Sequence, residues 1–157
     1  MRVYEYAIRK KELDTRIPCI VEKKSTNIPE LKKLCCPQEI ALLINRLFDA
    51  ENLTEEYVWL IGMDASLKTP AVFEISHGGM TSSSLSASSV WTRLLLCGAS
   101  NFIVAHNHPC GETNPSETDI RMTKTLNKIG KEMEILMLDH IIIGRSKYFS
   151  FKEEGYF

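Results

Sequence analysis

No run in this chain approaches the roughly eighteen consecutive apolar residues that a membrane-spanning helix needs. A surplus of charge of one sign is missing too. Nineteen basic against 20 acidic residues leave a net charge of −1, so no overall field draws in nucleic acid or an anionic membrane. Basic residues do gather near the start (Arg9, Lys10 and Lys11; Lys23 and Lys24; Lys32 and Lys33), which reads as solvated surface before it reads as a phosphate track. The five cysteines, Cys19, Cys35, Cys36, Cys97 and Cys110, are odd in number and show no Cys-x-x-Cys spacing. That argues against a disulfide framework and against a structural zinc knuckle. No charged segment leads from Met1 into an apolar core, so no secretory signal is expected and a reduced cytoplasmic setting is the simplest one. Repeats and low-complexity tracts are lacking as well.

What is present suits one domain. The chain has 157 residues, 44% of them apolar, which is ample for a core. Residues 1–36 read as an N-terminal extension whose purpose the pattern does not disclose. Within it Val3–Arg9 alternates like a strand, and Pro18–Val21 suggests a second. Pro37 suits the first position of a helix, and Ile40, Leu43, Ile44 and Leu47 continue one to about Asp49. Tyr57–Met63 is too aromatic and β-branched to prefer helix. Asp64–Ser66 reads as a turn and Pro70–Ile75 as a returning strand, broken at His77-Gly78-Gly79. The Ser/Thr-rich stretch Thr81–Ser89 offers a choice of N-caps to a helix carried by Val90, Trp91, Leu94 and Leu95 and ended at Gly98. Met122, Leu126, Ile129 and Met133 share one face of a helix over Ile120–Met133. Ile135–Ile143 is an apolar strand interrupted at Asp139-His140, and a turn over Gly144–Lys147 leads into Tyr148–Phe151. Strands alternating with helices predict an α/β layer architecture.

The chain is organised around residues 103–119. A buried strand, Phe102–Ala105, delivers His106 and His108, whose i, i+2 spacing points both rings at one place with Asn107 turned away. A carboxylate returned by the following loop would complete two histidines and one carboxylate, leaving a fourth position open as in catalytic zinc sites. Asp119 is the candidate, yet Ser116-Glu117-Thr118-Asp119 also fits a helix capping box. Both can hold in part, because an acidic first helical turn is favoured anyway. Cys110, between Pro109 and Gly111, reads as a bystander in a tight turn, and His77 as a residue of a glycine turn. Asp139 and His140 are candidates for orienting ligands, with a satisfied core pair the simpler reading.

The order His-x-His, seven residues, Ser116, two residues, Asp119 resembles the motif of the JAB/MPN (JAMM) metalloprotease superfamily. His106-Asn107-His108-Pro109-x-Gly111, Pro115-Ser116-x-x-Asp119, Leu138-Asp139-His140-Ile141-Ile142-Ile143-Gly144 and Phe149-Ser150-Phe151 are similar to the RadC-like branch, over about residues 37–157. The resemblance implies a cytidine-deaminase-like α/β sandwich with a mixed sheet and flanking helices, and a Zn2+ ion bound by His106, His108 and Asp119. It also implies a glutamate heading an early strand. The run Glu56–Asp64 selects Glu56 over Glu55, with Glu74 the alternative on the next strand. In that scheme zinc activates a water and Glu56 moves its proton as general base, then acid. Ser116 or its backbone N–H would stabilise the oxyanion, and the bond cleaved would be an amide or isopeptide in a peptide or protein conjugate. Departures from the branch are Cys110 in place of the usual Ser, Ser86-Ala87 in place of His-Pro, and no helix-hairpin-helix region within residues 1–36.

Three rivals stand beside the hydrolase. The branch's DNA-repair association suggests a nucleic-acid module, which salt-dependent DNA binding would support. Near-neutral charge weighs against it, and so does the contiguous His-Asn-His, unlike the longer ββα unit of HNH nucleases. A nucleobase deaminase is excluded, because Pro109-Cys110 lacks the second cysteine of Pro-Cys-x-x-Cys. A scaffold that kept the fold and lost catalysis is the third reading. The complete set of candidate ligands speaks for a working hydrolase.

Overall fold

The computed structural model describes residues 1–11, 17–67, 70–78 and 86–157. Gly79 and residues 81–85 of the Ser/Thr-rich approach lie outside them. Seven strands form one mixed sheet: β1 (Arg2–Lys10), β2 (Pro18–Asn27), β3 (Tyr57–Met63), β4 (Ala71–His77), β5 (Asn101–Asn107), β6 (Leu136–Gly144) and β7 (Lys147–Ser150), in the order β2-β1-β4-β3-β5-β6-β7. The helices are α1 (Pro37–Phe48), α2 (Ala87–Leu96) and α3 (Glu117–Glu132). α3 is the crossover between the parallel neighbours β5 and β6, while β3 runs antiparallel to both β4 and β5. This is the mixed-sheet α/β fold that a JAB/MPN-type chain implies. Among the described residues no helix is long and apolar enough to cross a membrane.

The central strands of the sheet are buried on both faces, and β3 shows how the sequence divides between them. Trp59, Ile61 and Met63 point to one core with Leu43 and Ile44 of α1; Val58 and Leu60 point to the other with Val90 and Leu94 of α2 and Leu126 of α3. Each such aliphatic or aromatic side chain contributes roughly 1.5–3 kcal/mol of burial. A strand enclosed on both faces reads as a continuous apolar run, as Tyr57–Met63 does. Two positions before Val58, Glu56 falls on the α2/α3 face. His106 is the register partner of Val58 across the β3–β5 ladder.

β6 departs from its expected course in an informative way. Asp139-His140 does not interrupt it; the strand runs unbroken from Leu136 to Gly144. The pairing with β5 instead slips there. Phe102 faces Met137, and the next residue, Ile103, faces Asp139, so Leu138 is a bulge. Leu138 and Asp139 both lie on the α1 side, lining a cavity with Leu34, Ile40 and Ile103. The bulge reverses the parity of the strand, so that His140 and not Asp139 faces α3. Each side chain then finds partners. Asp139 Oδ2 accepts from the Ser150 hydroxyl (2.6 Å), and Oδ1 accepts from the N–H groups of His140 (2.7 Å) and Lys152 (3.1 Å). Burial pushes the Asp139 carboxyl above its ordinary value, against the pull of those hydrogen bonds.

Candidate metal centre

Four elements meet at the carboxyl end of β5. His106 lies in the last stretch of β5, completely buried; His108 follows just past the strand. The His108 N–H donates to the Ile143 carbonyl (3.0 Å), and the Gly111 N–H donates back to the His108 carbonyl (2.9 Å), which curls residues 108–111 into a turn against β6. Gly144 makes that approach feasible: a Cβ there would lie 2.4 Å from the Gly111 carbonyl oxygen and 2.6 Å from Thr113 Cγ2. The loop then runs to Ser116, the N-cap of α3, and Asp119 in the first helical turn. Glu56 stands at the entry to β3.

The donor atoms of Glu56, His106 and His108 all lie within 4.8 Å of one another, as a group able to hold a metal ion. His106 Nε2 and His108 Nε2 are 3.1 Å apart. Asp119 brings Oδ1 to 3.6 Å from His106 Nε2 and Oδ2 to 3.9 Å from His108 Nε2. The capping role suggested for Asp119 occupies one of its two oxygens. Oδ2 accepts from the Ser116 N–H and hydroxyl, both at 2.7 Å, while the Asp119 N–H donates to Ser116 Oγ (3.2 Å). That is the capping box. Oδ1 is buried and accepts no hydrogen bond from any described residue. Glu74, the alternative to Glu56, is exposed on β4 beside His77 at 4.0 Å and stays outside the cluster. Cys110 is exposed in the turn.

Burial favours the neutral rings of His106 and His140. Burial lowers His106 to about 4; Asp119 opposes that fall and His108 adds to it. Burial likewise drives His140 well below its ordinary value, helped by His106 and His108. His108 Nδ1 faces the Glu112 carbonyl oxygen at 3.0 Å, which can only accept, so Nδ1 carries a hydrogen and the ring's neutral tautomer there has its lone pair on Nε2. Two imidazole nitrogens and a carboxylate oxygen thus converge with no hydrogen from the carboxylate between them. Unscreened, such a set is repulsive, and a cation resolves it. Ligand atoms about 2.0–2.1 Å from a tetrahedral ion stand about 3.3–3.4 Å apart. The observed 3.1 and 3.6 Å separations bracket that spacing, and the 3.9 Å between His108 Nε2 and Asp119 Oδ2 exceeds it by about half an ångström. The residues present therefore fit a divalent metal.

One contributor escaped sequence reasoning. Asn107, between the histidines, is buried and far from idle. Its Oδ1 accepts from the Tyr57 N–H (2.8 Å), and its Nδ2 donates to the Glu55 carbonyl (3.0 Å). It clasps the peptide on either side of Glu56, while the Gly78 N–H donates to the Glu56 carbonyl (2.9 Å). No local spacing announces partners fifty residues away.

A family model described as a RadC-like JAB domain matches residues 34–156. The chain is 31% identical over 135 residues to a UPF0758 protein of Flavobacterium johnsoniae, covering 86% of this chain and 58% of that protein. It is 35% identical over 122 residues to one of Clostridium perfringens (78% and 53%), and 33% identical over 146 residues to one of Methanosarcina acetivorans (92% and 60%). The chain thus spans a little over half the length of these relatives.

Proposed function

The chain belongs to the RadC-like JAB domain family, and from that premise we propose that it is a zinc-dependent hydrolase of amide or isopeptide bonds in peptides or protein conjugates. The observation that carries the reading is the grouping of Glu56, His106 and His108, their donor atoms within 4.8 Å of one another, with Asp119 Oδ1 3.6 Å from His106 Nε2 and Oδ2 3.9 Å from His108 Nε2. His106 Nε2, His108 Nε2 and Asp119 Oδ1 would hold the ion. Bound there, zinc supplies a Lewis acid able to make water a nucleophile at neutral pH. Glu56, whose carboxylate lies within reach of both imidazoles, would take the proton from that water and return it to the leaving amine nitrogen. The Asn107 clasp fixes where that carboxylate can stand. Ser116 now donates its hydroxyl to Asp119 Oδ2. As an oxyanion donor it would have to exchange that partner for the substrate, with its backbone N–H left as the cap.

The test uses the purified protein and elemental analysis, followed by a screen of peptides and ubiquitin-like conjugates. About one zinc per chain is expected, lost in His106→Ala and His108→Ala. Glu56→Gln should keep its zinc and lose hydrolysis by about 10²–10⁴-fold, the usual worth of a general base. A folded protein that takes up no zinc, or a Glu56→Gln variant as active as its parent, would remove the reading.

A further inference from the structure

The buried ring of His140 is not used by the hydrolytic scheme, yet it touches the centre. His140 Nε2 lies 2.9 Å from His106 Nδ1, and His140 Nδ1 lies 2.6 Å from Thr123 Oγ1. Thr123 Oγ1 is also 2.6 Å from the Asp119 carbonyl oxygen, to which it donates. Hydrogen counting then orders the whole chain. A hydroxyl has one hydrogen, and a carbonyl oxygen can only accept, so the Thr123 hydrogen points at Asp119. Toward His140, Thr123 Oγ1 can therefore only accept, and His140 Nδ1 must carry the hydrogen. The neutral ring consequently presents a lone pair at Nε2, which accepts from His106 Nδ1–H. His106 is left with its own lone pair on Nε2, the atom that faces His108 Nε2 at 3.1 Å.

Two further features hold this arrangement. Phe151 stacks on His140, with ring centroids 4.6 Å apart and planes 7° from parallel, so the imidazole sits between an aromatic face and α3. The bulge at Leu138 is what turns His140 toward this side of the sheet.

We propose that His140 and Thr123 are a positioning pair that locks His106 in the tautomer whose Nε2 can bind a metal. The proposal rests on the reading of His106 as a ligand and adds what sets its ring. Asp119 then acts twice, offering a carboxylate oxygen to the ion and a main-chain carbonyl that starts the relay ordering the opposite ligand. An outer partner of this kind is worth about 10–100-fold in metal affinity.

The experiment measures zinc affinity of the full chain by competition with a chelator, alongside histidine ring nitrogen shifts of the metal-free protein. His140→Leu should weaken zinc binding by about 10–100-fold and shift His106 away from a single tautomer. His140→Gln should restore affinity to within a few-fold, because its carbonyl can accept from His106 Nδ1–H while its amide donates to Thr123. Thr123→Val removes the hydroxyl, and so both the acceptor for His140 and the donor to the Asp119 carbonyl, and should give mixed tautomers at His106; it serves if His140→Leu does not fold. Unchanged affinity and unchanged His106 shifts in the folded variants would overturn the positioning pair, and so would equal losses in His140→Leu and His140→Gln. A wild-type protein without zinc affinity would instead overturn the hydrolase reading, so the two failures are told apart.

Discussion

At the residue scale, Asn107 shows how much of a site can hang on a side chain that neither binds nor reacts. Its amide completes the ladder where β3 begins, and both polar ends are occupied by main-chain groups flanking Glu56. Asn107→Leu would leave the Tyr57 N–H and the Glu55 carbonyl without those partners, at about 1–3 kcal/mol for each group that stays out of water. The expected outcome is a loss of about 2–4 kcal/mol in urea unfolding, with zinc affinity retained within a few-fold. Full stability in that variant would mean that Glu56 is held by something else. Strand parity singled out His106 and His108 in the sequence, while Asp119 and Glu56 came forward through the resemblance to a family motif; the structure brings all four side chains to one end of the sheet. Spacing could not separate a capping from a ligating Asp119, and the capping box occupies only one oxygen of its carboxylate. Asn107, Thr123 and His140 were not legible as a set, because their geometry exists only once β3, β5, β6 and α3 are assembled.

At the scale of elements, the loop from His108 to Ser116 is a rigid strap laid across the end of β6. The Arg145 N–H donates to the Gly111 carbonyl (3.1 Å), and the loop main chain passes directly over Gly144. A methyl at Gly144 meets backbone at 2.4 Å, not the end of a flexible side chain, so the strap itself must move. Gly144→Ala should therefore cost about 1–3 kcal/mol by overpacking and weaken zinc binding, since the strap fixes both His108 and the approach to Asp119. Thermal unfolding and chelator competition read the two effects; an alanine variant with native values of both would show the strap to be compliant. The same strand explains an element that the sequence pattern could describe only as interrupted. Alternation in β6 fails at Leu138-Asp139 because a bulge puts two successive side chains on one face. Periodicity registers the break but cannot distinguish a bulge from an end.

At the scale of the whole molecule, the alternating pattern of strands and helices predicted the layers but not the strand order. β1 and β2 were readable as strands, yet nothing local said that they would extend the sheet beyond β4. β1 meets β4 over only two register pairs, Tyr4 with Ala71 and Glu5 with Val72. Val3 and, past β2, Ile28 and Leu31 are nevertheless fully enclosed in the α1-side core. The family match begins at residue 34, so these residues lie outside it but inside the fold. Removing residues 1–33 would strip three buried aliphatic side chains at roughly 1.5–3 kcal/mol each, comparable with the entire stability of a domain this size. The truncated chain is expected to lose cooperative unfolding; a sharp melt near that of the full chain would contradict this.

The buried imidazoles give the molecule a further collective property, a sensitivity to acid that His106 and His140 impose on the fold. In the metal-free protein His106 titrates near 4, against an ordinary 6.5 in the unfolded chain. Between those values the unfolded state holds the extra proton, so stability rises with pH through this window and falls as pH drops from 6.5 toward 4. A shift of this size corresponds to about 3 kcal/mol for His106, and buried His140 acts in the same direction. Urea unfolding of the metal-free protein should show that decline, and His106→Gln should lessen it, leaving the part due to His140. Zinc should deepen the dependence, because the ion binds only the deprotonated rings and stabilises the folded state by an amount that grows with the logarithm of its affinity. A metal-free stability that stays level between pH 6.5 and 4.5 would mean that the rings take up protons without leaving the core, and the lone pairs assigned to them would have to be reassigned.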